Sequence, residues 1–330
     1  MRAYLIRRLL LIFPTFILVT IIVFLCVRFV PGDVIDLMMA EMSGSGMSVS
    51  EVSIATLKEA LGLNVPMHIQ YFRWLGVLPQ ESGQFLGIFQ ADLGESLWRQ
   101  EPVLDQILQR LPVSIELGSI AVITSLMIAI PVGVYSAIRQ DTWGDYSGRT
   151  FSILCVSVPS FWIGTMVMVY PAILWGWAPA LRYIPITQDL GGNLLQFLIP
   201  GIIMGLVMSG TTMRMTRTMM LEVLRQDYIR TAWSKGLRER TVIFRHTLKN
   251  ALIPVVTIVG MMLTILIGGT VIIEQIFVLP GVGLLMFNAL TQRDYPVISG
   301  LNVVLTTTVL FMNVLVDLTY AWLDPRVHYK

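Results

Sequence analysis

One segment of the chain has residue types that are suited to binding a protein. Between Arg214 and Asn250, nine basic side chains alternate with apolar ones at helical spacing. Attraction to anionic lipid headgroups would account for the charge alone. It would not account for apolar residues at positions i, i+3 and i+4, which need a surface to pack against. That surface is either a partner protein or the underside of the chain's own helices.

Groups that could catalyse a reaction or bind a metal are scattered. His68, His246 and His328 lie in three different regions, and Cys26 and Cys155 each lie within an apolar run. This is typical neither of a metal site nor of a disulfide framework. The pattern GxxxxGK[ST], whose loop cradles nucleotide phosphates, does not occur. We therefore expect a chain that is not an enzyme and that holds no metal or other cofactor.

Three carboxylates lie in or beside apolar segments. Asp317 lies well inside one, where a lone carboxylate is energetically expensive. It could serve in a proton relay or make a structural hydrogen bond, and the hydrogen bond is favoured because no second acid or histidine lies near it. Glu116 and Glu274 are close enough to the ends of their segments that we expect water to solvate them.

The composition is that of an integral membrane protein. Of 330 residues, 55% are hydrophobic and 13% are charged, whereas about 25% are charged in a typical soluble domain. The net charge of +2 excludes a strongly basic nucleic-acid binder. The expected surroundings are membrane lipid, and no nucleic acid is expected as a partner.

Six segments are apolar and long enough to cross a bilayer as helices. The first follows Arg2, Arg7 and Arg8, and we interpret it as a retained helix because it is longer than the apolar core of a signal peptide. The fold class is therefore an all-α integral membrane protein with six transmembrane helices. The segments are Leu9–Val30, Val113–Ile138, Phe151–Trp175, Leu194–Met213, Ala251–Ile273 and Val297–Leu323.

The distribution of basic residues predicts the orientation. With the N-terminus in the cytoplasm, the inside segments hold 16 of the 23 lysines and arginines. The positive-inside rule then places both termini in the cytoplasm. We divide the chain into an N-terminus with its first helix (1–30), an extracytoplasmic cap region (31–112) and a five-helix core (113–330) that contains the cytoplasmic connection 214–250.

The cap region combines acids with apolar residues and is expected to be folded. Its apolar side chains, clustered in Pro66–Leu78, need burial, so we predict a helix there and a second one from Ser50 to Gly62. The Ser/Gly-rich stretch Met42–Met47 is expected to be flexible.

The segment Leu221–Pro254 resembles the cytoplasmic signature of binding-protein-dependent ABC transporter permeases of the dipeptide/oligopeptide type. Arg230-Thr231-Ala232 followed by Gly236 takes the first part of that signature, and Ala251–Pro254 takes the second. Arg230 stands where the general pattern has Glu, as is usual in the peptide-type subfamily. Further motifs similar to this subfamily occur in order along the chain: Pro31-Gly32-Asp33, Gln70-Tyr71, Asp92-Leu93-Gly94, Pro159-Ser160-Phe161-Trp162, Pro280-Gly281-Val282-Gly283, Arg293-Asp294-Tyr295-Pro296 and Asp324-Pro325-Arg326.

The resemblance implies the type I ABC importer permease fold and a first permease subunit in the inner membrane of a prokaryote. Such a chain forms half of a translocation pathway. The implied partners are a second, homologous permease subunit, two ATPase subunits that hold ATP and Mg²⁺, and an extracytoplasmic solute-binding protein.

In this family a short cytoplasmic helix docks into a groove of the ATPase. Carried over to this chain, Thr231 and Ala232 would allow close approach and Gly236 would end the helix with a positive φ. The apolar anchor would be Tyr228, Ile229 and Trp233, and the charges that fix the orientation would be Arg230 and Lys235. Possible translocation-path residues are Ser160, Gly268 and Gly269, although glycines also serve ordinary helix packing.

Two questions stay open at this stage. The cargo could be a dipeptide or oligopeptide, glutathione or a nickel complex, and the second permease could be identical or different. The alternative function is an ion-driven secondary transporter or channel, which would need several ionisable groups within the membrane or an inverted repeat.

Overall fold

The computed structural model describes residues 2–29, 65–80, 83–180, 182–269 and 271–323. Every regular element in these ranges is helical, and one isolated bridge joins Glu95 to Pro102. The all-α prediction is confirmed. The helices are α1 (Arg2–Phe29), α2 (Met67–Leu75), α3 (Val103–Ile138), α4 (Trp143–Ser157), α5 (Ser160–Trp175), α6 (Leu190–Leu224), α7 (Asp227–Ser234), α8 (Lys249–Gly269), α9 (Val271–Ile276), α10 (Val282–Gln292) and α11 (Tyr295–Leu323). Three shorter pieces are a 3₁₀-helix at Ile88–Gln90, a three-residue helix at Glu239–Thr241 and a π-helix at Val242–Leu248 before α8.

The described residues contain five helices that are long and apolar enough to cross a membrane, and a sixth span if a bent pair counts as one. The five are Leu10–Phe29, Val103–Ile138, Leu190–Leu224, Glu239–Met262 and Tyr295–Thr319. These segments correspond to five of the six predicted spans.

The bent pair replaces the predicted single span Phe151–Trp175. Helix α4 begins at Trp143, and the axes of α4 and α5 differ by 85°. The break lies at Val158, whose backbone is extended (φ −88°, ψ 121°) because Pro159 disfavours helical conformation in the residue before it. The polar first turns of α4 lack the apolar signal on which the prediction depended.

Two further helices are longer than their apolar cores. Helix α3 begins at Val103, ten residues before the predicted span, and α6 continues to Leu224 instead of ending at Met213. Backbone hydrogen bonding continues past the end of a hydrophobic run wherever the helix has something to pack against. The connection 214–250 is consequently mostly helix.

The chain divides into two compact units, and the first is built mainly from Leu111–Leu284. Its apolar core lies where α3, α5, α6 and α9 meet and includes Leu117, Phe197 and Ile273. Small residues bring the backbones together. A Cβ at Gly205 of α6 would lie 2.7 Å from the Ala121 carbonyl oxygen, and one at Gly210 would lie 2.7 Å from that of Ser152, as is typical of membrane helix packing.

The second unit consists of Arg7–Arg110 with Leu285–Thr307. In it α2 packs against α1 through aromatic rings: Phe24 lies 5.4 Å from Tyr71 and 5.7 Å from Trp74 between centroids. The Tyr71 hydroxyl is 2.9 Å from that of Thr20. The helix predicted within Pro66–Leu78 is confirmed. The stretch Met42–Met47, expected to be flexible, and the helix predicted for Ser50–Gly62 fall outside the described residues.

A charge at the buried end of α2 should destabilise the second unit. Leu75 is 3% exposed, whereas Met67 in the same helix is 46% exposed. Burying an unpaired carboxylate costs several kcal/mol. Leu75→Asp should therefore lower the temperature at which the detergent-solubilised protein loses its monodisperse peak in size-exclusion chromatography. Met67→Asp should have little effect. Equal thermal survival of the two variants would contradict this packing.

Candidate functional site

The segment that carries the resemblance folds as a helical hairpin at the end of α6. After Leu224 the chain turns and forms α7, Asp227–Ser234. The Gly236 amide donates to the Trp233 carbonyl at 2.9 Å, and Gly236 has φ +72°. The expectation that Gly236 ends the helix with a positive φ is confirmed. From Glu239 the chain returns through the π-helix to α8.

One side of α7 is covered by its own chain. Ile229 is fully buried, Ala232 is 7% exposed, and both pack with Val242 of the π-helix. Val223 and Leu224 at the end of α6 complete this cluster. The chain itself therefore covers Ile229 and Ala232, and their part in binding an ATPase stays a prediction. The spacing i, i+3 places both residues on one face, and the returning segment occupies that face.

The rest of the α7 surface is open, and we call it the exposed α7 face. It carries two large aromatic side chains, Tyr228 (41% exposed) and Trp233 (44% exposed). Arg230 Nη1 is 3.6 Å from Asp227 Oδ1, but both side chains are largely solvent-exposed. This ion pair therefore contributes little to stability. The remaining members are Arg230, Thr231, Lys235 and Gly236.

The π-helix closes the hairpin by packing Val242 against Ile229 and Ala232, and no local pattern in the sequence predicts it. Its Thr247 side chain is fully buried and donates to the Val242 carbonyl at 3.1 Å. Asn250, in the first turn of α8, donates to the Tyr228 hydroxyl at 2.9 Å and to the His246 carbonyl at 3.0 Å. Tyr228 is thus held in place at one edge of the exposed α7 face.

The three possible translocation-path residues lie at helix ends. Ser160 is the first residue of α5, directly after the break at Pro159. Gly268 and Gly269 are the last residues of α8. Their assignment to a pathway stays a prediction. Asp317 is half-buried in α11, and its two interpretations also stay open.

Glu274 is not solvated as expected but fully buried. Its Oε1 accepts from the Ser114 hydroxyl and its Oε2 from the Leu284 amide, each at 2.7 Å. The Val282 amide in turn donates to Ser114 Oγ at 2.8 Å. The Ser114 hydroxyl and the Leu284 amide, which directly follows Pro280–Gly283, replace water around this carboxylate.

Glu116 is half-buried beside a second polar cluster that sequence reasoning missed. Asn193 donates to Glu116 at 3.4 Å and to the Ile184 carbonyl at 2.9 Å. Gln196 donates to the carbonyls of Ala180 and Arg182 at 3.0 and 3.1 Å. Tyr183 lies in the connection between α5 and α6. Burial raises its pKa, and the Glu116 carboxylate raises that pKa further. The expectation that Glu116 is solvated is therefore only partly correct.

In the second unit a carboxylate of one sequence motif binds the segment that follows another. Asp294, 3% exposed, accepts from the Ser96 hydroxyl at 2.5 Å and from the Leu97 amide at 3.3 Å. Trp98 donates to the Gln292 carbonyl at 2.9 Å. Asp294 therefore fixes the segment that follows Asp92-Leu93-Gly94 against the start of α11.

Comparison with known proteins decides the family. The family described as "Binding-protein-dependent transport system inner membrane component" matches residues 129–329, and the N-terminal region of such components matches residues 1–118. The chain belongs to this family. It is an inner membrane component of a binding-protein-dependent transport system, with the type I importer permease fold.

Relatives align along their whole length. The oligopeptide transport system permease protein AppB of Bacillus subtilis is 37% identical over 333 residues, covering 100% of both chains. The dipeptide transport system permease protein DppB is 36% identical over 349 residues in Alkalihalophilus pseudofirmus and 33% identical over 353 residues in Escherichia coli, again covering 100% of both chains.

The left-handed turn at Gly236 provides a test of how the hairpin is held. No atom lies within 4 Å of a Cβ built there, so a substitution acts through backbone strain alone. Gly236→Val should cost about 1–2 kcal/mol, whereas Gly236→Asn, which tolerates positive φ, should cost less. We expect faster trypsin cleavage at Arg238 and Arg240 in membranes for the valine variant only. Equal cleavage rates would contradict a φ-constrained turn.

Proposed function

We propose that this chain is the non-catalytic permease subunit of an ATP-driven importer for dipeptides or oligopeptides. Relatives named as dipeptide and oligopeptide permeases align over the full length of the chain, which supports the cargo class. The sequence has no nucleotide-binding loop of the GxxxxGK[ST] type. Two separate ATPase subunits would therefore bind ATP and Mg²⁺. A second, homologous permease would complete the pathway.

The exposed α7 face would dock onto an ATPase subunit. The observation that carries this assignment is the division of α7 into two sides: Ile229 and Ala232 are covered by the chain itself, whereas Trp233 and Tyr228 stay exposed beside Arg230 and Lys235. Aromatic and arginine side chains are the residues that most often dominate binding energy at protein interfaces. Ile229 and Ala232 would then hold the docking helix against α6 and the π-helix.

The cargo assignment can be tested in proteoliposomes. The chain would be co-reconstituted with its second permease, ATPase subunits and solute-binding protein, and offered labelled dipeptide, longer peptide, glutathione and a nickel complex. We expect peptide uptake that requires ATP hydrolysis. Uptake driven by an ion gradient without ATP would favour the secondary-transporter alternative, and uptake of only the nickel complex or glutathione would overturn the peptide assignment.

Removing the exposed tryptophan should weaken ATPase binding. A central aromatic at an interface contributes about 2 kcal/mol or more, so Trp233→Ala should weaken binding roughly 30-fold. Trp143→Ala is the matched control, because Trp143 is 87% exposed but lies in α4. Binding of purified ATPase to the detergent-solubilised permease measures both variants, and unchanged affinity for Trp233→Ala would argue against this docking face.

We further propose that both termini and α7 are cytoplasmic and that the 31–112 region is extracytoplasmic. Single cysteines at Ser234 and Gln84, both exposed, would be introduced in a background without Cys26 and Cys155. An impermeant maleimide should label Gln84→Cys from outside intact cells and Ser234→Cys only in inverted vesicles. Labelling of both from the same side would refute this topology.

A further inference from the structure

A buried ion pair joins α4 to α6 in the first unit. Asp145 is fully buried, and the Arg217 side chain is 19% exposed. Arg217 Nε donates to Asp145 Oδ1 and Nη2 donates to Oδ2, each at 2.7 Å. This two-pronged geometry fixes the direction of the contact as well as its distance. The pair therefore constrains how α4 and α6 can rotate against each other.

Asp145 also organises the connection between α3 and α4. Its Oδ2 accepts from the Asp141 amide at 3.1 Å, and Asp141 has φ +60°, which is uncommon for a residue other than glycine. Thr142 closes the same turn by donating to the Arg139 carbonyl at 2.6 Å. The carboxylate thus links the end of α3, the start of α4 and the flank of α6.

The three helices pack too tightly at this point to slide freely. A Cβ at Gly148 of α4 would lie 2.5 Å from Ser136 Oγ of α3. One helical turn further along α4, the Ser152 hydroxyl donates to the Gly210 carbonyl of α6 at 2.7 Å. Close-packed interiors transmit displacement instead of absorbing it.

A short stretch of α6 connects Arg217 to α7. Helix α6 continues for seven residues beyond it to Leu224, which is about two helical turns. Val223 and Leu224 then pack in the cluster that holds Ile229 and Ala232 of α7. A displacement of α7 would therefore act on the end of α6, and through Arg217 on the start of α4. The other end of α4 is the 85° break before α5.

We propose that the Asp145–Arg217 ion pair couples movement of α7 to the α4–α5 arm, so that both residues position the transport machinery. The proposal rests on the proposed function, because it assumes that α7 receives the ATPase. Neither residue would touch cargo or nucleotide. Their contribution is to make the last two turns of α6 and the bent α4–α5 pair move together.

The ratio of peptide taken up to ATP hydrolysed by the complete reconstituted transporter tests this role. Coupling between sites commonly changes an equilibrium by 5- to 150-fold, so Arg217→Met should lower the ratio on the order of tenfold while the ATPase still co-purifies. Arg217→Lys keeps the charge but loses the two-pronged geometry, so its ratio should fall between those of the wild type and Arg217→Met. Arg214→Met removes an exposed charge three residues earlier in α6 and should leave the ratio unchanged.

A double variant keeps the test decisive if Arg217→Met does not fold. Removing one partner leaves a buried charge uncompensated, whereas replacing both by apolar residues is often tolerated. Asp145→Leu with Arg217→Met should therefore assemble with the ATPase and still show a low ratio.

The outcomes separate the inference from the proposed function. A wild-type ratio in an assembled Arg217→Met or double-variant complex would overturn the inference alone. Failure of both variants to assemble would show that the pair serves folding only, and would overturn it as well. Absence of ATP-driven uptake by the wild-type complex would instead overturn the proposed function, and the inference with it.

Discussion

Backbone contact between α3, α4 and α6 is the constraint on which the first unit depends. Within a bilayer, lipid chains are as apolar as leucine, so helices associate through close packing and hydrogen bonds instead of through the hydrophobic effect. Gly205 and Gly210 give α6 the bare surface that this requires, and the Ser152 hydroxyl spans the remaining gap to a backbone carbonyl. Once the three helices are this close, the polar side chains between them have few alternative arrangements.

Three carboxylates are buried and hydrogen-bonded within the packed helices and their connections. Asp145, Glu274 and Asp294 are each withdrawn from water, and each accepts hydrogen bonds from donors on segments far away in sequence. A buried charge without donors is strongly destabilising, so each carboxylate selects one arrangement of its neighbours. Glu274 selects the turn Pro280–Gly283, and Asp294 selects the path of the chain around Ser96.

Helix α7 shows how a short amphipathic helix can serve two purposes at once. An isolated helix of 8 residues is marginal in water, so it needs a surface to fold on. The end of α6 and the π-helix provide that surface for Ile229 and Ala232, which leaves Trp233 and Tyr228 exposed. In the proposed complex, an ATPase subunit that binds this face would not have to order the helix first.

The sequence by itself determined the class of protein, the apolar spans, the amphipathic character of α7 and its end at Gly236, because these depend on local composition and spacing. Only the tertiary structure decided which side of α7 is free, since a periodic pattern defines a face without saying what covers it. It also decided that Glu274 is buried, because its donor Ser114 lies 160 residues away and no local pattern connects the two. Sequence and tertiary structure together determine the break between α4 and α5. Pro159 marks its position in the sequence, but the 85° bend depends on what the two helices pack against.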